Sequence, residues 1–345
     1  MKKTLFNIIA GATCLLLVSC GAEKAKNLTE KRPVFASVLT ADKQDKATAL
    51  KSKINRPIKI AVLGLENNPF WIPVKGGTLK AAETLKKFNC QVDWIVPAGD
   101  SHGASVFGKG IENAVVQGYD AIATVAGDSG ITNFINRAVD SGVPVATFNS
   151  ETEKENKRLF FVGADLYKQG EVAGAEMHKL LKGSGEVAVI TGFFSVEAHE
   201  LRRKGFLDKL KKLAPKVKIV SEVENKDQAN LAYRQTKDFL TAHPNLSAIY
   251  VTAGGPFGAA KAIEESGKAG VVKIISYDFV DETMAYVKKG VISGTIGQDP
   301  HAQGYDPAIR LYNYLAAGVV PKAGKLLTNS DFVTKDNIDK YWSKK

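Results

Sequence analysis

Residues 66–77 (ENNPFWIPVKGG) place two amides and two large aromatic side chains directly after an apolar run. Asn67 and Asn68 offer paired hydrogen-bond donors and acceptors, and Phe70 and Trp71 follow after a proline. Amide groups bind vicinal hydroxyls, and aromatic faces stack on the C–H side of a sugar ring. This spacing therefore indicates recognition of a small polyhydroxylated ligand.

Polar and aromatic side chains follow other apolar runs in the same way. The further candidates for ligand contact are Asn149, Arg202, Asp278 and Gln298, together with Asp128, Phe193, Ala253 and Gly254. Planar amide, carboxylate and guanidinium groups form paired hydrogen bonds with vicinal hydroxyls. Each residue alone has an ordinary alternative, such as a helix cap, a loop amide or a solvated charge. Their repetition at one kind of position favours a single binding site.

The elements that position these residues alternate from residue 57 to the end of the chain. We predict strands at residues 58–63, 91–96, 121–125, 143–148, 159–162, 186–191, 217–223, 247–252, 271–277 and 291–296. We predict helices at residues 74–88, 104–117, 131–140, 168–181, 197–213, 227–241, 257–266, 282–289 and 302–317. Short apolar strands alternating with amphipathic helices are typical of parallel sheets covered on both faces.

The predicted strands are too many for one comfortable open sheet, and the length of 345 residues also favours two domains. The predicted fold class is therefore α/β, with two similar doubly wound parallel-sheet lobes side by side. Ligands of open parallel sheets bind outside the carboxyl ends of the strands. Two such sheets facing each other form a cleft, which explains why amides and aromatic rings follow a buried strand.

The formal net charge of the chain is +11, but its lysines are dispersed along the sequence. No basic stretch is interleaved with aromatic residues, as a nucleic-acid groove would require. We therefore interpret the charge as a lysine-rich surface and expect no nucleic-acid partner.

The amino terminus has the pattern of an export signal. Lys2 and Lys3 precede an apolar stretch over residues 5–18 that is too short to span a bilayer comfortably. Residues 17–21, Leu-Val-Ser-Cys-Gly, resemble a bacterial lipobox, in which the cysteine becomes lipid-modified. The alternative is a plain signal peptide with a chance cysteine. The resemblance implies lipid attachment at Cys20 and a location in the cell envelope, anchored to a bacterial membrane.

Residues 1–19 would then be a lipoprotein signal peptide, and residues 20–56 a tether between lipid and domain. Cys14 lies inside the signal and Cys20 carries the lipid, so Cys90 has no partner for an intrachain disulfide after processing. We expect Cys90 to be a core residue at the start of a strand.

Catalytic and metal-binding motifs are missing or incomplete in the sequence. Residues 103–110 nearly form a phosphate-binding loop, but Gly110 stands where the motif needs Ser or Thr. The five histidines show no metal spacing, although His102 follows a strand and lies either at the edge of the cleft or in a plain loop. Glycoside hydrolysis needs two carboxylates at a defined distance, and the candidate pairs are Asp278 with Asp128 or Asp278 with Asp299. The sequence does not define the distance within either pair. We expect no enzyme activity, no metal and no cofactor.

The motif Asn-Asn-Pro-Phe-Trp at residues 67–71 resembles the first ligand-binding motif of the ribose-binding protein family, the type I sugar-binding proteins of ABC transporters. The resemblance extends from about residue 57 to the end of the chain. Further segments that carry it lie at residues 118–122, 142–145, 202–206, 241–244, 277–278 and 297–298.

The resemblance implies a role for each matching residue. On one side of the ligand, Asn68 would hydrogen-bond sugar hydroxyls, and Phe70 and Trp71 would form a stacking wall. On the other side, Arg202 would donate to the ring oxygen or hydroxyls and Asp278 would accept from hydroxyls. Gln298 would contribute near the hinge.

Three segments depart from the family pattern. The family commonly has Asp-Arg at residues 149–150, where this chain has Asn-Ser, and Asn-Asp-Glu at residues 253–255, where it has Ala-Gly-Gly. The loop at residues 126–128 lacks the expected amide. The glycine pair either leaves extra room or merely relaxes a turn. The departures indicate a ligand that is larger than ribose, differently substituted or less hydrogen-bonded.

The resemblance also implies lobes that are joined by a three-segment hinge. The expected lobes are residues 57–162 plus 299–327 and residues 163–298 plus 328–345, with crossings near residues 149–162, 298–302 and 326–328. We expect a monomeric solute-binding lipoprotein that delivers a monosaccharide, or a similar small polar ligand, to an ABC permease in the membrane. The alternative is a binding protein that presents its ligand to a chemoreceptor or histidine kinase.

Overall fold

The computed structural model describes residues 41–43, 46–51, 55–99 and 102–343, with residues 41–43 described by their backbone alone. These residues belong to one compact unit. The predicted signal peptide and the predicted lipid attachment at Cys20 lie outside the described residues.

Strands and helices alternate along the described chain. The strands are β1 (Ala41–Lys43), β2 (Ile58–Leu63), β3 (Cys90–Ile95), β4 (Ala121–Thr124), β5 (Val145–Phe148), β6 (Phe161–Gly163), β7 (Ser184–Thr191), β8 (Lys216–Glu224), β9 (Leu246–Val251), β10 (Lys273–Tyr277), β11 (Gly294–Ile296), β12 (Lys325–Leu327) and β13 (Phe332–Val333). The helices are α1 (Trp71–Lys86), α2 (Ala104–Val116), α3 (Thr132–Asp140), α4 (Leu166–Leu181), α5 (Glu197–Leu213), α6 (Ala229–Ala242), α7 (Pro256–Glu265), α8 (Asp281–Lys288) and α9 (Pro300–Ala317).

The first sheet has seven strands in the order β1-β12-β6-β5-β4-β2-β3, and all of its neighbouring strands are parallel. Strand β2 reads IKIAVL and is almost wholly buried, as expected of a strand that helices cover on both faces. The chain passes from β2 to β3 on one side and then to β4 on the other. The order of the strands therefore reverses beside β2.

The second sheet has six strands in the order β13-β11-β10-β9-β7-β8. Its strands are parallel except for β13, which is antiparallel to β11. Strand β7 has β8 on one side and β9 on the other, which repeats the arrangement around β2. The predicted fold class, with two similar doubly wound lobes, is confirmed.

The chain passes between the two sheets three times. The crossings follow β6 at residues 164–165, β11 at residues 297–299, and β12 at residues 328–331. The first crossing therefore comes later than residues 149–162, where it was expected. The reason is that β6 pairs with β5 through Phe161 and Val162 and with β12 as far as Gly163, so the chain completes this strand before it leaves the sheet. The exact lobe boundaries stay a prediction.

The described part of the predicted tether lies against the first sheet. Strand β1 pairs with β12 at the edge of that sheet. The N–H of Leu50 donates to Oδ1 of Asn313 at 2.9 Å, and Nδ2 of Asn313 donates to the carbonyl oxygen of Thr48 at 2.9 Å. The prediction of a tether over residues 20–56 is wrong for these residues. Strand pairing with β12 and hydrogen bonds to the side chain of Asn313 hold them, and no periodic apolar pattern in the sequence indicated these contacts.

Two element boundaries near the cleft also differ from the prediction. Helix α1 begins at Trp71, three residues before the predicted start. Pro73 is tolerated there because the N–H groups of the first helical turn have no partner within the helix, so the N–H that proline lacks is not needed. Strand β11 begins only at Gly294, since the buried residues Val291 and Ile292 belong to the turn after α8.

Candidate functional site

A small cavity lies between the two sheets, where the carboxyl ends of their strands meet. The volume that the centre of a water molecule can reach inside this cavity is about 40 Å³. The predicted residues that line it are Asn68, Phe70, Trp71, Asn149, Arg202, Ala253, Gly254, Asp278 and Gln298. The structure thus gathers residues from both sheets around one space, and their contact with a ligand stays a prediction.

Three predicted residues, Asn67, Asp128 and Phe193, are not among the residues that line the cavity. Asn67 is exposed and Phe193 is half-buried. The carboxylate of Asp128 accepts the N–H of Ala104 at 2.7 Å and the N–H of Gly130 at 2.8 Å. Asp128 therefore orders the backbone at two helix starts, which agrees with the ordinary alternative of a helix cap.

Asn68 shapes the turn that brings the aromatic pair to the cavity. Its Oδ1 accepts the N–H of Phe70 at 3.0 Å, and its carbonyl oxygen accepts the N–H of Trp71 at 3.2 Å. The two rings stand edge to face with centroids 5.3 Å apart. The indole N–H of Trp71 is buried and donates to no acceptor among the described residues. This leaves one donor available to a ligand.

Arg202 is held rigidly on the opposite wall. Its Nε donates to Oε1 of Gln169 at 3.0 Å, and its Nη1 donates to the carbonyl oxygen of Thr252 at 3.1 Å. The guanidinium carbon lies 4.0 Å from the ring centroid of Tyr277. Thr252 follows β9 beside β7, where the strand order reverses, so Arg202 is fixed at the switch point of the second sheet.

Asp278 follows β10 with a backbone φ of 72°, in the left-handed region that Asp tolerates better than most residues. Nε2 of Gln298 donates to its Oδ1 at 2.7 Å. Burial raises the pKa of the Asp278 carboxyl, against the lowering effects of Arg202 and of the hydrogen bond from Gln298, and Asp227 raises it further. The pocket therefore holds a carboxylate that is short of positive charge.

Amide groups connect the cavity to the chain crossings. Nδ2 of Asn149 donates to Oε1 of Gln303 at 3.1 Å, and Nε2 of Gln303 donates to the carbonyl oxygen of Gln298 at 2.7 Å. The same carbonyl accepts the hydroxyl of Thr328 at 2.8 Å. Because Gln298 and Thr328 stand at crossings between the sheets, this network couples the cavity wall to the hinge.

Gly254 and Gly255 do not leave extra room in the cavity. The N–H of Gly254 donates to Oδ1 of Asp227 at 2.9 Å. A Cβ on Gly254 would lie 3.0 Å from Cβ of Asp227 and 3.1 Å from its Oδ1, so the Asp227 side chain already occupies this space. Gly255 has a φ of 88° at the start of α7 and serves the turn. A carboxylate thus reaches the site from another strand end.

Two histidines from opposite lobes meet beside the cavity, His102 and His199. Their ring centroids lie 5.9 Å apart, and Phe193 stacks on His199 at 6.3 Å. Nδ1 of His199 accepts the N–H of Phe193 at 3.0 Å. Burial lowers the pKa of His199 to about 4, with His102 and Arg202 acting in the same direction and Asp227 opposing them. His199 is therefore neutral at pH 7.

His199 and Asp227 line the cavity but were missed, and His102 was left between two alternatives. The sequence carries a signal for both missed residues. His199 precedes Arg202 by three positions, so it shares a face of α5. Asp227 follows β8 closely, just as Asp278 follows β10, but it was assigned to the start of a helix that begins at Ala229. The remaining lining residues, Leu166 and Ala198, carry no polar signal.

Comparisons with known proteins agree with this geometry. Residues 60–318 match the family model of the periplasmic binding protein domain. The chain therefore belongs to that family. Its two α/β lobes make it a type I periplasmic binding protein, the class in which the resemblance placed it.

Relatives and solved structures of the same class cover most of the chain. A D-ribose/D-allose-binding protein of Pseudomonas aeruginosa is 28% identical over 65% of this chain and 72% of its own. A xylose/arabinose-binding protein of Sulfolobus acidocaldarius is 22% identical over 79% of this chain and 70% of its own. The crystal structure of an ABC transporter solute-binding protein from Burkholderia graminis, in complex with D-arabinose, superposes with a TM-score of 0.78 at 26% identity, and covers 84% of this chain and 100% of its own.

Proposed function

We propose that this protein captures a monosaccharide, or a similar small polyhydroxylated ligand, in the cavity between its lobes and delivers it to an ABC permease. The observation that carries the proposal is the composition of the cavity. Amide, carboxylate and guanidinium groups from both lobes surround one space together with two aromatic rings. These groups bind hydroxyls and the C–H face of a sugar ring. The names of the relatives agree with this ligand class and do not favour the sensing alternative.

Binding proceeds by opening and closure of the lobes. The cavity has room for only a few water molecules, so a sugar enters when the lobes are apart. Opening breaks contacts that cross the cleft, such as the hydrogen bond of 3.0 Å from the N–H of Glu197 to the carbonyl oxygen of Gly127. A ligand that touches both lobes favours the closed form by its differential affinity for that form.

The cavity binds its ligand without converting it into a product. Relatives of this class are named as binding proteins. Prolonged incubation with a bound sugar should return the sugar unchanged, and chromatography of the recovered ligand checks this. Appearance of a product would contradict the proposal.

The protein acts as a monomer that is exported and held at the cell envelope by lipid on Cys20. In the part of the chain that the structure describes, every helix is too short or too polar to span a bilayer. Mass spectrometry of the protein purified from membranes tests the anchor. A chain that begins at residue 20 with an acylated cysteine is the expected result, and an unmodified residue at that position would contradict it.

A thermal-shift screen tests the ligand class. Residues 21–345, made without lipid, are screened against pentoses, hexoses, deoxy sugars, inositols and nucleosides at about 1 mM. A ligand with a dissociation constant near 1 μM stabilises the folded state by about 4 kcal/mol, which is several degrees.

Trp71→Ala should reduce the shift, and Val116→Ala should keep it, because Val116 is 86% exposed and outside the cavity. No shift from any compound on folded, ligand-free protein would refute a simple sugar as the ligand.

A further inference from the structure

We propose that the cleft selects a polyhydroxylated ligand that carries a protonated amine, and that Asp227 is the residue that selects for it. This inference rests on the proposed function, since it concerns the ligand of the same site.

The charges that line the cavity do not balance. Two carboxylates, Asp227 and Asp278, line the cavity with one guanidinium, that of Arg202, and with the imidazoles of His102 and His199. The charge of Arg202 is shared with a carbonyl oxygen and an aromatic ring, because its Nη1 binds the carbonyl of Thr252 and its guanidinium lies over Tyr277. A closed cavity with a surplus carboxylate carries a desolvation cost that a ligand cation offsets.

The neighbouring histidine does not supply the missing charge. Cε1 of His199 and Oδ1 of Asp227 lie 2.5 and 2.6 Å from the point that a Cβ on Gly192 would occupy, so the two side chains are close neighbours. Burial nevertheless keeps the pKa of His199 at about 4, and its Nδ1 accepts a backbone hydrogen bond. Asp227 has the N–H of Gly254 as its described donor, which is neutral.

The opposite wall suits a cation attached to a polyol. The aromatic faces of Phe70 and Trp71 attract an ammonium group as well as the C–H face of a ring. The buried N–H of Trp71 has no acceptor among the described residues, and a ring or hydroxyl oxygen of a ligand would provide one. A ligand with both an amine and oxygen acceptors therefore satisfies both walls.

A groove beside the cavity carries the same sign. It has a volume of about 680 Å³, shares Phe70, Asp278 and Gln298 with the cavity, and reaches the chain crossings at Asp299 and Asp331. The carboxylates that line it are Asp278, Asp281, Glu282, Asp299 and Asp331, and no Lys or Arg is among its described lining residues. In a chain of net charge +11, this local excess of acid is unexpected. Negative clefts concentrate cations and raise their association rate.

A neutral polyol is the alternative occupant. Its hydroxyls would hydrogen-bond to both carboxylates but would leave the closed cavity with its surplus charge. An anionic ligand would add to that charge. A protonated amine is therefore the ligand substituent that this cleft favours and that a cleft with balanced charges would not favour.

Isothermal titration calorimetry at pH 7 tests the inference. Residues 21–345 are titrated with amino-deoxy hexoses, pentoses and inositols that carry the amine at each ring position. Each compound is compared with its hydroxyl counterpart and its N-acetyl derivative. We expect the best amine to bind at least about tenfold more tightly than both neutral partners.

Asp227→Asn should reduce that preference to less than about threefold. Asn keeps an oxygen that can accept the N–H of Gly254, so the loop should stay in place. Asp208→Asn is the matched control, because it removes one carboxylate from the exposed surface of α5 and should leave the preference unchanged.

Each of the remaining outcomes contradicts one particular part of the proposal. If a neutral sugar binds as tightly as its amine, the inference is wrong while the proposed function stands. If the preference survives Asp227→Asn, the role of Asp227 is wrong. If no compound binds, neutral or amine, both the inference and the proposed function fail.

Discussion

Gln298 donates a hydrogen bond of 2.7 Å from Nε2 to Oδ1 of Asp278, and both side chains line the cavity between the lobes. Asp278 follows a strand of the second sheet, whereas Gln298 stands where the chain crosses back toward the first sheet. The hydrogen bond therefore orients the carboxylate from a residue of the hinge, and a closed hinge presents that carboxylate to the ligand.

Asp278→Asn should weaken ligand binding about tenfold or more. Loss of a charged hydrogen bond costs about 1.5–3 kcal/mol. Asn is preferred to Ala here because φ at this position is 72°, which Asn tolerates. Titration calorimetry with the ligand from the thermal-shift screen measures the change. Asp339→Asn, at a side chain that is 80% exposed, is the control and should bind as the wild type does. Equal affinity in Asp278→Asn would mean that the ligand binds elsewhere.

Trp71→Phe should also weaken binding, and less severely than Trp71→Ala. Trp71 is only 2% exposed, so removal of the whole ring leaves a cavity and destabilises the fold by about 3–5 kcal/mol. Phenylalanine keeps a stacking surface and removes the buried N–H that has no described acceptor. Comparison of the two dissociation constants, with melting temperatures as the check on folding, separates the contribution of the ring from that of the N–H. Unchanged affinity in both variants would exclude Trp71 from the site.

The alternation of apolar strands and helical patterns was enough to predict two parallel sheets, because a strand buried on both faces leaves a short continuous apolar run. The rule that ligands bind at carboxyl ends of strands then led to Arg202 and Asp278, which line the cavity. Both predictions depend on local patterns and on topology, which a sequence carries directly.

What could not be predicted depends on contacts between distant segments. The Asp227 side chain fills the space beside Gly254, although the two residues lie on different strand ends. A glycine pair in sequence indicates room only if nothing else enters it. Likewise, strand β1 joins the first sheet by pairing with β12, although the two strands are almost 300 residues apart in the sequence. The three residues of β1 have no pattern of their own.

Gly77→Ala should destabilise the protein by about 1–3 kcal/mol, the usual range for overpacking. Gly77 on α1 and Gly304 on α9 let the two helices approach closely. A Cβ on Gly77 would overlap the carbonyl oxygen of His301, and a Cβ on Gly304 would overlap that of Val74. Urea unfolding measures the change in the free energy of unfolding.

The neighbouring residue gives the matched control for this substitution. Gly76 lies on the same helix, and a Cβ there would meet nothing within 4 Å. Gly76→Ala should therefore stabilise the protein by about 0.5–1 kcal/mol through helix propensity. If both substitutions have the same effect, close packing of the two helices does not explain why glycine occupies residues 77 and 304.

His199 should make the fold less stable as the pH falls from about 7 to 5. Burial lowers its pKa from 6.5 to about 4, so between these values the unfolded chain binds more protons than the folded protein. The free energy of unfolding therefore falls with falling pH in this window, by at most about 2 kcal/mol between pH 7 and 5. The raised pKa of Asp278 has the opposite effect, since its folded carboxyl holds its proton more tightly.

His199→Asn separates the two effects, because Asp278 is present in both proteins and Oδ1 of Asn can accept the N–H of Phe193 as Nδ1 does. Urea unfolding at pH 7 and pH 5 should show a smaller acid-induced loss in the variant than in the wild type. His102 and Arg202 also lower the pKa of His199, and Asp227 raises it. Identical losses in wild type and His199→Asn would mean that His199 titrates normally and that the cleft is open to water in solution.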